Sequence, residues 1–302
     1  LIKESWLQLR RRDAAKVKKS KKPRDERQGF ASAYDEYQKE GKCSNAWIAK
    51  STLGFKGKDI KVSDSATKLL AFIDSLKGRW VVQKYIENPM LVDGRKFDIR
   101  TWHLVTAHDP QALQVYTFDE GVLRVSSKPY KNSDFDDDFM HITNNAIQQD
   151  HPDYGKNEQD NLIDFAQFDH VLKLHHQRKK GKGGELGKED EKDNGPMTVR
   201  GNVLPRINEI VMETLRCIKD FLLPQPCGAY QMLGYDFVIT DKGDLQLLEV
   251  NLTPGTSTTL VGKMVADMNE IAVDAAFPDP KATKSGENVS LNNGFKHVGK
   301  IE

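Results

Sequence analysis

The stretch "LQLLEVNLTPGTST" (245–258) decides the fold. Leu245 to Val250 is an apolar run with Glu249 near its end and Asn251 just beyond. Asp236 lies thirteen residues before Glu249, in a second apolar run, "YDFVIT" (235–240). The tetrapeptide "DKGD" (241–244) between them is turn chemistry, so the pair reads as a β-hairpin. On that hairpin Asp236 and Glu249 can face each other across neighbouring strands. A period of two puts Glu249 and Asn251 on one face. Two carboxylates and an amide oxygen then surround one point. Mg²⁺ suits such a set, because it takes few protein oxygens and completes its octahedron with phosphate and water. A carboxylate among apolar neighbours is costly unless it holds a cation, which favours a metal over an ordinary polar strand face.

Cations form a second set. Lys50 ends the apolar strand "NAWIAK" (45–50), and Lys84 sits in "VVQKYIE" (81–87). Lys96 and Arg100 are four apart in "RKFDIR" (95–100), hence on one strand face, with Asp98 between them on that face. Arg124 lies on the strand pair that follows. Several inward cations suit a polyphosphate, with Lys as a point charge and Arg as a fork. Each of them alone would equally suit strand-surface charge. The loop "STLGFKGKD" (51–59) carries Gly54 and Gly57 and could lay backbone N–H groups over phosphates. It is neither a Walker loop nor a Rossmann fingerprint. "VVQKYIE" leads from a buried strand to a polar edge and could offer backbone groups to a base.

The totals set the frame. The chain has 302 residues, 38% hydrophobic and 29% charged, enough to bury a core split over two lobes. No apolar run reaches the eighteen or so residues of a membrane span. The chain opens "LIKESW", without Met or a signal-peptide core, which suggests that an N-terminal piece is missing. Three cysteines, Cys43, Cys217 and Cys227, are odd in number and far apart, so a reducing compartment fits. Net charge is +1, yet residues 1–28 hold eleven Lys/Arg against four Asp/Glu. That segment reads as a solvated face or a patch for an acidic peptide. Nucleic acid is the weaker reading, since stacking aromatics are nearly absent there.

Along the chain, helices are expected over 29–42, 64–78, 159–176, 204–223 and 260–277. Strands are expected over 45–50, up to 62, 79–87 and 95–107. A strand pair turning at Glu120-Gly121 is expected over 113–127, before the hairpin of 230–251. The Gly-rich, charged segment 175–196 reads as a disordered insertion, and the tail after Pro278 as loose. Hairpins mixed irregularly with helices indicate α+β lobes rather than a doubly wound sheet.

"NAWIAKS…GFKG", "VVQKYIE", "RKFDIRTWHLV", "EGVLR", "HITNNAIQ", "LGYDFVI" and "LLEVNLTP" resemble, in order and spacing, the tubulin–tyrosine ligase family. The resemblance implies the ATP-grasp fold, with ATP and Mg²⁺ held between two α+β lobes. It implies one lobe over 1–84 and another over 85–302, the latter interrupted near 175–200. Carried over, Lys50 touches the nucleotide phosphates, and Gln83, Lys84, Tyr85 and Ile86 form an adenine hinge. Lys96, Arg100 and Arg124 hold the γ-phosphate and the carboxylate being activated. Thr143 and Asn144 line the nucleotide site, and Asp236, Glu249 and Asn251 bind magnesium. The implied reaction is ATP-dependent peptide-bond formation through an acyl-phosphate. Ser51 after Lys50, "DERQGFASAY" and "IAVDAAFP" resemble the member that adds tyrosine more than relatives that add glutamate or glycine. The expectation is therefore addition of free tyrosine to the C-terminal glutamate of detyrosinated α-tubulin, in the cytoplasm, on the cytoskeleton. A glutamylase or glycylase of the same family, and a non-catalytic nucleotide-gated tubulin-binding module, are the alternatives.

Overall fold

The structure, a computed structural model, describes residues 25–41, 44–52, 54, 57, 59–155, 161–182, 195–274 and 292–302. Two compact units interleave along the chain. The first takes the residues up to Phe97, Val125–Asn161 and Thr240–Gly243; the second takes Asp98–Arg124, Leu162–Ile239 and Asp244–Glu302. No helix among the described residues is long and apolar enough to cross a membrane.

In the first unit, β1 (Trp47–Ser51) is the centre of a three-stranded antiparallel sheet, flanked by β2 (Ile60–Ser63) and β3 (Trp80–Lys84). Alternation sends Trp47 and Ala49 to one face and Ala46 and Ile48 to the other. Phe30, Tyr34 and Tyr37 of α1 (Arg27–Glu40) and Leu69 and Ile73 of α2 (Ala66–Ser75) pack around Trp47 and Ala49. The Ser65 hydroxyl caps α2 by accepting from the Lys68 N–H. On the opposite face Ala46 and Val62 meet Tyr85 and Phe135. β4 (Leu91–Val92) pairs with the first residues of β5 (Arg95–Asp109) through the turn Asp93-Gly94, both at positive φ. Two single turns, α3 (Asp138–His141) and α4 (Asn145–Gln148), are capped by the side chains of Asp137 and Asn144.

The second unit is built on a sheet with the order β10-β6-β5-β8-β9. Its strands are β5, β6 (Ala112–Pro129), β8 (Ala229–Ile239), β9 (Leu245–Asn251) and β10 (Phe295–Ile301), with the short β7 (Leu162–Asp164) beside β6. Among the described residues, three α-helices accompany it: α5 (Phe165–Lys182), α6 (Leu204–Leu222) and α7 (Val261–Asn269). Trp102 and Leu104 of β5 pack with Phe118, Met264 and Ile271. Their odd-numbered neighbours Thr101 and His103 point the other way, where Tyr235 donates or accepts at Thr214 of α6. α6 buries Leu204, Ile207, Val211 and Leu215, an apolar stripe at helical spacing.

Four expectations change. Residues 113–127 do not turn back at Glu120-Gly121, because β6 runs unbroken from Ala112 to Pro129. Gly121 is there for space: a Cβ would lie 2.3 Å from the Phe165 ring and 2.8 Å from the Arg100 carbonyl oxygen. The helix expected from 159 starts at Phe165, after β7, and continues through Lys182. The expected insertion therefore begins later than 175; residues 183–194 lie outside the described residues. The tail expected to be loose returns as β10, paired with β6 from Phe295 opposite Phe118 to Ile301 opposite Leu113. The basic segment 1–24 and residues 275–291 lie outside the described residues.

Candidate active site

The expected site residues fall into two groups, one in each unit. In the second unit, β8 pairs with β9 in a register that puts Asp236 opposite Glu249 and Gly234 opposite Asn251. β5 lies on the other side of β8, with Arg100 opposite Asp236. Arg100, Asp236 and Glu249 therefore form a row across three strands, the unit through which cross-strand side chains interact. A bulge after Asp236 shifts Phe237 opposite Leu247 and ends the regular ladder beside the row.

The row belongs to an ion-pair network. Arg100 grips Asp236 with both Nε and Nη2, the latter at 2.8 Å. Arg124 grips Asp98 the same way, at 2.6 and 2.8 Å, and its Nη2 also donates to Asp236 Oδ2 at 2.8 Å. Asp236 is 2% exposed, Asp98 4% and each arginine 8%. Burial pushes the Asp236 carboxyl up, but the charges of Arg124 and Arg100 outweigh it and hold the group well below the carboxylate range. Burial opposes the charge on Arg124, and Asp98 and Asp236 more than restore it, so its pKa is raised. The segment after β9 folds back over β8, made possible by Gly234, whose Cβ would lie 2.5 Å from Pro254. The indole of Trp102 holds that segment by donating to the Gly255 carbonyl at 3.1 Å.

Glu249 is exposed, unlike Asp236, and stands within hydrogen-bonding reach of it. Asn251 Nδ2 donates to Glu249 Oε1 at 3.2 Å. Two carboxylates in contact need a cation or a shared proton between them. Among the described residues no group of three or more His, Cys, Asp or Glu gathers as metal ligands. Asp236, Glu249 and the Asn251 amide oxygen are hard donors of the kind Mg²⁺ takes, with both Asp236 oxygens shared with Arg100 and Arg124. The cations that offset Asp236 are the two arginines, Arg100 and Arg124.

The first unit holds the remaining expected residues. Lys50 lies on β1 opposite Val81 and Ile60. Gln83 and Lys84 close β3, opposite Ile48 and Trp47. Lys84 Nζ turns inward, donating to the carbonyls of Ala46 (2.8 Å) and Tyr85 (3.3 Å) and pairing with Glu87. Both backbone groups of Tyr85 are committed, since its N–H donates to Ala46 at 3.0 Å. Ile86 follows directly. Buried Lys96 donates to the Tyr85 hydroxyl at 2.9 Å and to the His141 carbonyl at 2.8 Å. Thr143 is buried, and the Asn144 side chain caps α4. Gly57, at φ +77°, sits so close to this segment that a Cβ would lie 2.8 Å from Ile147 and 3.2 Å from Asn144. The glycine loop and "HITN" are thus in contact.

Three residues received no role from the sequence. Asp98 anchors Arg124. Glu87 accepts from the N–H groups of Ser44 and Ala46, each at 2.7 Å, and so ties β1 to the end of β3. His141 meets Tyr85 and Lys96. The signal for Asp98 was its place between Lys96 and Arg100 on one strand face; Glu87 and His141 sit at the ends of quoted motifs.

Two antiparallel sheets with helices, carrying this network, make the chain an α+β protein of the ATP-grasp kind. It belongs to the tubulin-tyrosine ligase family, whose sequence model matches residues 7–285. It is similar to tubulin glycylase 3B of Tetrahymena thermophila, 29% identical over 264 residues that are 85% of this chain and 20% of that protein. It is also similar to two human proteins: protein monoglycylase TTLL8 (28% over 247 residues, 77% of this chain and 26% of that protein) and tubulin monoglycylase TTLL3 (27% over 234 residues, 74% and 27%). The chain thus spans about a fifth to a quarter of the length of these relatives.

These relatives correct the expected activity. Their names are those of glycylases, so the assignment as a tubulin–tyrosine ligase adding tyrosine to α-tubulin does not stand. The Lys50-Ser51 step, one of the residue features behind it, has a structural reason. The Ser51 N–H donates to the Asp59 carbonyl at 3.1 Å, a bond that proline in its place could not make.

Proposed function

We propose that this chain catalyses the ATP-dependent ligation of glycine to a carboxylate of tubulin. The observation that carries the reading is the pair of buried arginine forks, Arg100 and Arg124, held on Asp98 and Asp236 in a chain of this family with glycylase relatives. Guanidinium forks match carboxylate and phosphate oxygens equally well. Arg100 and Arg124 would hold the acceptor carboxylate and the γ-phosphate. Lys50 and Lys96 would offset charge on the nucleotide phosphates. Gln83, Lys84, Tyr85 and Ile86 would flank the adenine, and Thr143 and Asn144 would line the nucleotide. Asp236, Glu249 and Asn251 would hold Mg²⁺, which supplies charge neutralisation to the phosphates.

A carboxylate is a poor electrophile, so the reaction needs a leaving group. A carboxylate oxygen attacks the γ-phosphorus, the bond to ADP breaks, and an acyl-phosphate forms. The glycine amine attacks the acyl carbon, phosphate leaves, and the amine proton is released. The cations hold like-charged reactants together and stabilise charge as it moves, which is where most of the rate enhancement arises in such chemistry. The test is incorporation of labelled amino acid into tubulin with Mg-ATP, comparing glycine, glutamate and tyrosine. Glycine-dependent labelling and ADP release support the reading. Labelling with glutamate alone, or with none of the three, overturns it.

A further inference from the structure

His141 is buried (2% exposed) and lies among Tyr85, Tyr130 and Phe135. The Asp134 carbonyl sets the direction of its ring hydrogen bonds. Nε2 lies 2.7 Å from the Asp134 carbonyl, which can only accept, so Nε2 carries the proton. Nδ1, 3.0 Å from the Tyr85 hydroxyl, must then accept from it. The Tyr85 oxygen, its proton given away, accepts from Lys96 Nζ at 2.9 Å. Lys96 also donates to the carbonyl of His141 itself, so the ammonium is held from two sides of one residue. Burial keeps both partners in the neutral forms this chain of bonds requires: it pushes the Tyr85 phenol well up, and it lowers His141, helped by the Lys96 charge.

We propose that His141 is a positioning residue for Lys96: through the Tyr85 hydroxyl it fixes the ammonium at the place where it meets the nucleotide phosphates. This rests on the role given to Lys96 above. An ammonium on a four-carbon stem is mobile by default, and its rotamer freedom opposes binding. Here that freedom is removed before the nucleotide arrives. Tyr85 thus contributes its side chain to Lys96 while its backbone stays on Ala46.

The test compares affinities for Mg-ATP and for adenosine, which lacks phosphates, in the whole chain by calorimetry. His141→Leu is expected to weaken ATP about tenfold, the scale of one charge-assisted hydrogen bond, and adenosine by less than about twofold. His141→Asn, whose amide oxygen can take the place of Nδ1 as acceptor, recovers most of the loss. In a Lys96→Ala background, His141→Leu costs nothing further. Should His141→Leu lack a melting transition, Tyr85→Phe takes its place in the same cycle. Equal weakening of ATP and adenosine, or effects of His141→Leu and Lys96→Ala that multiply, overturn the inference alone. A Lys96→Ala variant that still prefers ATP over adenosine as the parent does removes the phosphate role of Lys96 and the inference with it.

Discussion

Arg124 and Glu249 test opposite properties of one network. Arg124 bridges two buried carboxylates. Replacing it by Met keeps the stem but leaves Asp98 and part of Asp236 uncompensated, and breaking a buried pair this way costs about 3–5 kcal/mol. Urea unfolding should show that loss, and a change below about 1 kcal/mol would mean the pair is solvated. Glu249 is exposed, so Glu249→Gln should shift stability by less than about 0.5 kcal/mol. Under the proposed function, glycine-dependent turnover should fall on the order of a hundredfold or more, because the proposed cation site would lose an anionic oxygen donor. Near-normal turnover would remove Glu249 from the cation set. The facing of Asp236 and Glu249 was legible because a hairpin and a period of two determine it locally. Asp98 as the anchor of Arg124 was not, because that bond joins residues 26 apart whose strand register no local pattern reveals.

Elements were legible where their periodicity is continuous. α6 ends within one residue of expectation, since Leu204, Ile207, Val211 and Leu215 repeat at helical spacing. In β6, Glu120-Gly121 is turn chemistry in isolation, whereas in the fold Gly121 is required by the close approach of Phe165. Gly121→Ala is therefore expected to cost about 1–3 kcal/mol, the usual range for overpacking. A thermal melt within about a degree of the parent would mean that Phe165 swings away freely. β10 escaped notice for another reason. Only Phe295 and Ile301 of its seven residues are buried, so alternation is faint and the pairing with β6 spans most of the chain.

For the whole molecule the acid limb of stability is set in part by His103. It is fully buried between the hydroxyls of Thr101 (2.9 Å) and Thr117 (2.8 Å). The Thr117 hydroxyl donates to Asn208 Oδ1 at 2.7 Å, so its oxygen accepts from His103 Nδ1–H, and Nε2 accepts from Thr101. A second ring proton would face the Thr101 hydroxyl with no carboxylate bonded to the ring to offset it. Burial accordingly lowers its pKa from 6.5 to about 3. The unfolded chain takes up this proton below pH 6.5 while the native chain refuses it until about pH 3. The stabilisation is thus complete above pH 6.5 and shrinks as pH falls through that window, by about 1.4 kcal/mol per unit. His141, lowered for the same reason, adds in the same direction. His103→Gln should be less stable than the parent at pH 7, having lost a hydrogen-bonded ring. From pH 7 to pH 5 it should lose about 2 kcal/mol less than the parent does. Urea unfolding at both pH values reads the difference, and parallel losses in the two proteins would mean that native His103 accepts the proton after all.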